Sequence, residues 1–368
     1  MSSQFDLEIW RQEIREIDEK ILHLLSERMS FAQKIGDYKE QKNLPIKDFQ
    51  IEKQIIDRSR QKALQIGLDP NLAEDLMTTI IHYSVLRQDE IKRKRIDVPV
   101  GQGQKALILG GSGQMGQWFA QFYESLGFSV SIYDLNQPDS SQYPYIENLA
   151  NELNHFDILL LATPMTATAI LLEELILMQP KGLIIDICSL KSPVLAAIQK
   201  ATQAGLKIAS MHPMFGPDTE ILAGKNIIFC TGAGLDTEAR LLHHFQQTSA
   251  HLITVPLAEH DRHMSYVLGA AHFINLIYAN VLAQSGSSLE LFMALGGTTF
   301  LQQKRVTAKV VTENQNLYFD IQVLNQATPE LIQQFKSALT QYAEAITEKS
   351  RHNFRSLMSV SQEFFREK

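Results

Sequence analysis

Three apolar runs in this chain, residues 157–162, 182–188 and 207–211, each end in a residue able to do chemistry: Thr163, Ser189 and His212. An imidazole at a strand end is a candidate proton acceptor at neutral pH, and Pro213 after it favours an extended backbone. Upstream, Gly111-x-Gly113-x-x-Gly116 directly follows the apolar run Lys105–Leu109, and Asp134 ends the run Ser129–Tyr133, eighteen positions after Gly116. Glycines at this spacing bring backbone N–H groups to a pyrophosphate at a helix N-terminus, where Gln114 and Met115 sit; the acid can hold ribose hydroxyls. A dinucleotide loop and an acid–base histidine in one crevice are equipment for dinucleotide-dependent redox chemistry. A second set of residues is basic. Arg28 falls on an apolar seam between Leu24 and Phe31, where an unpartnered guanidinium costs several kcal/mol, so an anion is expected there. Lys39 lies eleven residues on, nearly on the same face, and Ser84 and Gln88 continue the apolar stripe Leu76, Met77, Ile80, Ile81.

Elements of two kinds must hold these residues. Residues 5–41 contain no proline and carry Leu7, Trp10, Ile14, Ile17, Ile21, Leu24, Phe31, Ile35 and Tyr38 at heptad spacing, which predicts a long helix packed against others. Asn43-Leu44-Pro45 breaks it; further helices are expected over 48–64 and 71–93. Residues 96–104, with Pro99, Gly101 and Gly103, read as a linker. Strands are expected at Lys105–Leu109, Ser129–Tyr133, 157–162, 182–188, 207–211 and, last in the series, Asn226–Thr231, with a helix over 117–126. In an open parallel sheet ligands bind beyond the carboxyl ends of the strands, which gathers Thr163, Ser189, His212 and the glycine loop. From Ala258 onward the spacing is helical, with breaks near Gly286, Gly296-Gly297 and Thr328-Pro329, and residues 263–283 look buried on several sides. The expected architecture is multidomain: an all-α domain over 1–95, the linker 96–104, an α/β Rossmann domain over 105–255 and an all-α domain over 256–368.

Composition narrows the function. The 368 residues are 45% hydrophobic, ordinary for globular domains, and the net charge of −7 argues against a general binder of nucleic acid or membrane surfaces. The basic cluster Lys92-Arg-Lys-Arg95 reads as a complement to a helix C-terminus. Two cysteines, Cys188 and Cys230, make no disulfide framework, and neither they nor His260, Asp261, His263 and His272 have metal-ligand spacing, so no metal is expected. No uninterrupted apolar run approaches a membrane span, and charge from Asp6 onward leaves no signal peptide visible, which points to the cytoplasm.

The first ninety residues resemble the all-helical chorismate mutases, with Arg11, Arg28, Lys39, Asp48, Glu52, Ser84 and Gln88 in matching order. The resemblance implies an intertwined homodimer in which Arg11 serves the partner's site. It implies that Arg11 and Arg28 hold the carboxylates of chorismate with help from Ser84, and that Lys39 and Gln88 donate to the breaking ether oxygen. Glu52 orients the ring hydroxyl, and Asp48 belongs to the same site. Where that family has an arginine, this chain has Ile51.

The sequence His212-Pro-Met-Phe-Gly-Pro-Asp218 is similar to the signature of the prephenate dehydrogenases, together with Gly-Gly-Ser-Gly-Gln-Met-Gly116, Ser189-Leu-Lys191 and Glu259-His-Asp261. That resemblance runs from Lys105 to the end. It implies NAD as cofactor, His212 as the residue taking up the proton of the prephenate hydroxyl, Ser189 holding the same hydroxyl, and His260 near the substrate. It also implies a helical dimerisation domain and a cation for a prephenate carboxylate, with Arg305 available and Lys309 aligned with the family's arginine. A mutase fused to such a dehydrogenase catalyses consecutive steps, chorismate to prephenate and then to 4-hydroxyphenylpyruvate. Two other readings stand beside it: a dehydrogenase preferring arogenate, and a dehydrogenase regulated by a degenerate, metabolite-sensing mutase domain, for which Ile51 speaks.

Overall fold

A computed structural model describes residues 2–41, 49–94, 100–137, 140–219, 222, 225–246, 248 and 250–366. Three helices come first: α1 (Ser2–Gln41), α2 (Phe49–Ile66) and α3 (Pro70–Lys94). Helix α2 stops at Gly67, whose φ of +74° suits a residue without Cβ, and the Leu68 N–H returns to the Ala63 carbonyl at 2.9 Å. Two residues later α3 opens with Pro70 in its first turn and the Asp69 carboxylate accepting from the Asn71 N–H at 2.9 Å. Both α1 and α2 pack on α3. The α1 seam is covered only in part: Ala32 and Gly36 are buried, whereas Trp10, Ile14, Ile17, Ile21 and Leu24 stand exposed in the single chain.

A seven-stranded sheet follows, made of β1 (Lys105–Leu109), β2 (Ser129–Tyr133), β3 (Ile158–Leu161), β4 (Leu183–Asp186), β5 (Ile208–Pro213), β6 (Asn226–Thr231) and β7 (His251–Pro256). Their order is β2-β1-β3-β4-β5-β6-β7. The helices between them are α4 (Gln114–Ser125), the single turn α5 (Leu149–Glu152), α6 (Met165–Met178), α7 (Leu195–Gln203) and α8 (Leu235–Phe245). Alternate residues of the central strands feed two cores. Leu107, Leu159, Leu161 and Ile184 meet Leu172, Leu175, Ile198 and Ala201 on one face. Ile108, Ile158, Leu160 and Ile185 meet Phe119, Phe122, Tyr123 and Phe245 on the other. Strands buried on both faces carry continuous apolar runs, and each such side chain contributes about 1.5–3 kcal/mol.

Two expectations about the sheet need correction. It is mixed, because β6 runs antiparallel to β5, with Ser210 opposite Cys230 and His212 opposite Ile228. The series does not close at β6 either, since β7 pairs parallel to it as the edge strand. The α4 helix also starts three residues earlier than expected, at Gln114, directly after the Gly113 cap.

The remainder is helical: α9 (His260–Met264), a π-helical turn (Ser265–Ala270), α10 (Ala271–Ala283), α11 (Leu289–Leu295), α12 (Thr298–Thr312), α13 (Gln315–Val323), α14 (Thr328–Thr347) and α15 (Arg351–Phe364). Pro329 sits in the first turn of α14, so it starts a helix. His260–Ala283 forms one continuous 24-residue helix, long and apolar enough by composition to cross a membrane. Polar residues such as His272, Asn275 and Asn280 interrupt it, so a count of uninterrupted apolar residues does not find it. Contrary to the sequence expectation, most of it is open in the single chain: Tyr266, Val267, Ile274, Ile277 and Val281 are exposed, while Met264, Ser265, Gly269 and Asn275 are buried.

Candidate active site

Sheet register aligns the residues that end the strands. Leu109 lies beside Leu161, Leu161 beside Asp186, and Asp186 beside Ser210, so β1, β3 and β4 finish at one level, while β5 runs on past it to Pro213. Gly111, Thr163, Ser189 and His212 all lie two or three residues beyond that level, along one edge. With strands about 4.8 Å apart, the glycine loop and His212 are separated by three spacings, roughly 14 Å.

The glycine loop is shaped for close approach. Gly110 has φ +83°, and a Cβ there would lie 2.6 Å from the Ala162 carbonyl oxygen. A Cβ on Gly116 would overlap the Gly110 carbonyl, so only glycine lets α4 start this close to β1. Gly113 caps α4, exposed Gln114 and half-buried Met115 form its first turn, and the Gln117 amide donates to the Gly111 carbonyl. Asp134 accepts from the Ser112 N–H at 3.0 Å, which holds its carboxylate over the loop. A cleft of about 440 Å³ opens between Gly110, Gly113, Asp134, Leu135, Thr163 and α6. It lies between the ends of β1 and β3, from which the chain continues in opposite directions along the sheet, to β2 and to β4, the position at which such folds bind dinucleotides. The Thr163 hydroxyl is 2.7 Å from that of Thr168, which ties the cleft wall to α6. A backbone cradle that admits no Cβ, with a carboxylate at its far end, fits a dinucleotide with free ribose hydroxyls.

At the other end of the edge a buried polar cluster surrounds His212, which is 3% exposed. Its Nδ1 lies 3.1 Å from Nε2 of His260, whose Nδ1 lies 2.7 Å from Oδ1 of Asp261. Asp261 accepts from the backbone N–H groups of Lys191 at 2.7 Å and Ser192 at 2.6 Å. Beneath this, the Lys191 ammonium donates to Oδ2 of Asp186 at 2.7 Å and to the Met211 carbonyl at 2.8 Å, and Ser210 Oγ donates to the same Asp186 oxygen. Burial works against charge on Lys191, yet the charge and hydrogen bond of Asp186 hold its pKa above the ordinary lysine value. Burial, with Lys191 and His260 nearby, pushes His212 well below the usual histidine range, so it is a neutral base at pH 7. Ser189 is half-buried in the loop between β4 and α7.

Sequence reasoning missed the parts that hold this cluster together: Asp186, Asp261 as the anchor of His260, and the buried ammonium of Lys191. One signal was present, an aspartate closing the otherwise apolar strand Leu183-Ile-Ile-Asp186. Arg305 and Lys309 sit one turn apart on α12, both exposed in the single chain. The opposite face of that helix is fixed: Thr307 Oγ1 donates to Oδ1 of Asn275 at 2.6 Å and the Gln303 amide to the same atom at 2.8 Å.

Among the helical residues, the Arg28 guanidinium donates to the hydroxyl of buried Ser84, joining α1 to α3. Burial lowers the arginine's pKa. Lys39 is half-buried on the same helix. Arg11 is exposed beside Glu8 at 3.6 Å, and seventeen residues at 1.5 Å put it about 25 Å from Arg28. One straight helix therefore cannot bring both arginines to one small molecule. Asp48 lies outside the described residues, as do the side chains of Glu52, Gln88 and Ile51.

Comparison with known proteins gives matches along most of the chain. Residues 10–89 match the family model for chorismate mutase type II. Residues 133–252 match that for the prephenate dehydrogenase nucleotide-binding domain, and residues 256–360 that for the prephenate dehydrogenase dimerization domain. The T-protein of Enterobacter agglomerans is 24% identical over 330 residues, covering 90% of this chain and 85% of its own length. The chorismate mutase of Methanocaldococcus jannaschii is 35% identical over 80 residues, covering 22% of this chain and 81% of its own. Prephenate dehydrogenase from Aquifex aeolicus, solved in complex with hydroxyphenyl propionate and NAD+, superposes with a TM-score of 0.56 at 19% identity, over 70% of this chain and 96% of that one.

Proposed function

The chain belongs to the bifunctional chorismate mutase/prephenate dehydrogenase family, and from that premise we propose which residues carry its two reactions. It rearranges chorismate to prephenate and then converts prephenate to 4-hydroxyphenylpyruvate with NAD, in tyrosine biosynthesis. The division at residues 95, 104 and 255 belongs to the proposal, supported by family matches that break between 89 and 133 and between 252 and 256.

The mutase reaction needs no nucleophile or metal; the protein must fold a dicarboxylate into a chair-like conformer and stabilise charge on the ether oxygen. Arg28 and Ser84 already meet across α1 and α3, which supports them as carboxylate holders. Lys39 and Gln88 donate to the ether oxygen, and Asp48 and Glu52 complete the site. Arg11, about 25 Å along α1, serves the site of a second copy. The working form is therefore a homodimer. The dimerization-domain match and the open apolar faces of α1 and α10 support it.

For the dehydrogenase, the glycine loop with Gln114 and Met115 cradles the pyrophosphate, Asp134 holds the adenosine ribose and Thr163 lines the cleft. Bound NAD supplies the hydride acceptor. His212 accepts the hydrogen bond of the prephenate hydroxyl, shares its proton as the carbon beneath becomes electron-poor, and returns it as carbon dioxide leaves and the ring becomes aromatic. Ser189 holds the same hydroxyl, and Arg305 and Lys309 receive the carboxylates. The alignment of the glycine loop and His212 along one sheet edge carries this assignment. The enzyme acts in the cytoplasm.

One preparation tests both halves. Chorismate without NAD is expected to give prephenate, and NAD added next is expected to give NADH and 4-hydroxyphenylpyruvate, with arogenate the poorer substrate. Absence of prephenate in the first stage refutes the mutase half, and arogenate turnover above that of prephenate refutes the substrate assignment.

A further inference from the structure

We propose that His260 and Asp261 lock the tautomer of His212, so that Nε2 of His212 is the bare nitrogen that accepts the substrate's proton. The lock follows from donor and acceptor types; the identity of the substrate rests on the dehydrogenase reading above.

The assignment starts at the backbone. The N–H groups of Lys191 and Ser192 can only donate, and they approach Oδ1 and Oδ2 of Asp261 at 2.7 and 2.6 Å. Both oxygens therefore accept, and Asp261 is a carboxylate; burial alone raises its pKa, but bonds from His260, Ser192 and Lys191 bring it to about 2. Oδ1 also lies 2.7 Å from Nδ1 of His260, so that nitrogen must carry a proton. Burial holds His260 below the usual histidine range, and a neutral imidazole has one N–H, which leaves its Nε2 bare. That bare nitrogen, 3.1 Å from Nδ1 of His212, accepts only if Nδ1 of His212 bears the proton. His212 is also neutral, so its remaining nitrogen, Nε2, presents a lone pair. Two backbone amides thus determine, through three side chains, which nitrogen of His212 is basic.

The frame around the lock is rigid. The Asp261 carbonyl accepts from the Asn325 amide at 2.9 Å, and Asn325 accepts in turn from the Ala327 N–H at 2.9 Å. With both ring nitrogens of His260 engaged inside the protein, its part is to position His212. When His212 takes up a proton at Nε2, its Nδ1–H still donates to His260, which Asp261 backs, so the charged form is supported without rearrangement.

The test reads the tautomer first and the chemistry second. Side-chain ¹⁵N NMR on the full chain without substrate or cofactor, with His212→Asn identifying the signals, is expected to show protonated Nδ1 and bare Nε2 at His212. In Asp261→Ala the two tautomers should exchange. Prephenate turnover should then fall about 10- to 100-fold while KM stays within about threefold, the pattern of a lost catalytic orientation. The pair His260→Gln and His260→Leu gives a second reading. Glutamine can accept from Nδ1–H through its carbonyl, so it should retain roughly tenfold more turnover than leucine. A bare Nδ1 in the wild type overturns the proposal, as does equal turnover in the glutamine and leucine variants. Should the wild type turn over no prephenate, the dehydrogenase reading fails, and the NMR pattern still decides the lock.

Discussion

Replacing Lys191 with methionine removes one charge from the interior while keeping most of the side chain's volume. Lys191 is 1% exposed and Asp186 is fully buried. The substitution strips Asp186 of the ammonium at 2.7 Å, leaving its carboxylate with the Ser210 hydroxyl at 2.7 Å and the Cys188 N–H at 2.8 Å. It also removes the donor 2.8 Å from the Met211 carbonyl, one residue before His212. Breaking a buried ion pair from one side costs about 3–5 kcal/mol, because the other charge stays behind. For a unit of this size that corresponds to a fall in melting temperature of roughly 6–20 °C. Trp118, packed on Phe119, Phe122 and Phe215, reports on the sheet domain, and Trp10→Phe removes the other tryptophan of the chain. Urea melts followed by Trp118 fluorescence measure the loss. Adding Asp186→Asn should make the double variant about 1–2 kcal/mol more stable than the sum of the single losses, since neither charge is then stranded. A cost below about 1 kcal/mol, or strict additivity, refutes the reasoning.

Asp134 accepts from Ser112 at the cofactor end and repels a 2′-phosphate, so kcat/KM with NAD should exceed that with NADP by roughly tenfold or more; equal constants contradict it. Arg28→Ala should lower mutase kcat/KM about 10- to 150-fold, the worth of a charge-assisted hydrogen bond, and leave turnover of supplied prephenate intact; parallel loss of both activities makes Arg28 structural. Lys309→Ala should raise KM for prephenate by a similar factor with little change in kcat, and Lys309→Arg should be tolerated, whereas an effect at Arg305 alone displaces the carboxylate site by one turn. His244 is 3% exposed beside the Tyr123 hydroxyl at 3.2 Å, and burial lowers its pKa to about 4. As pH falls from 6.5 toward 4 the unfolded chain binds a proton that the folded one refuses, so stability drops by on the order of 3 kcal/mol. The drop in urea midpoint between pH 7 and 4.5 should shrink in His244→Gln, with the share due to buried His212 and His260 remaining, and an undiminished drop would rule His244 out as a cause.

The kinds of element and most of the cofactor loop could be read from the order of residues alone. Strands such as Leu183–Asp186 are buried on both faces, so their apolar runs are continuous, and Gly110 and Gly116 occupy positions where a Cβ meets backbone. That order also placed His212 and Ser189 at strand ends, because parallel strands that share a register share an edge. Pairing direction was out of reach, since an apolar run reads the same up or down: β6 turned antiparallel, and β7, which carries Leu252, Ile253 and Val255, joined as a largely uncovered edge strand. The buried cluster was equally hidden. Lys191 and Asp261 are seventy positions apart, and only folding sets the Asp261 carboxylate on two amides of the Lys191 loop. Nor does heptad spacing say whether a partner is present, and Trp10, Ile14 and Ile17 remain open in the single chain. Periodicity records which faces avoid water, while hydrogen-bond partners far apart in sequence depend on three-dimensional placement to within a few tenths of an ångström. Folding to that precision is what sets buried His212 against a second imidazole held by a carboxylate.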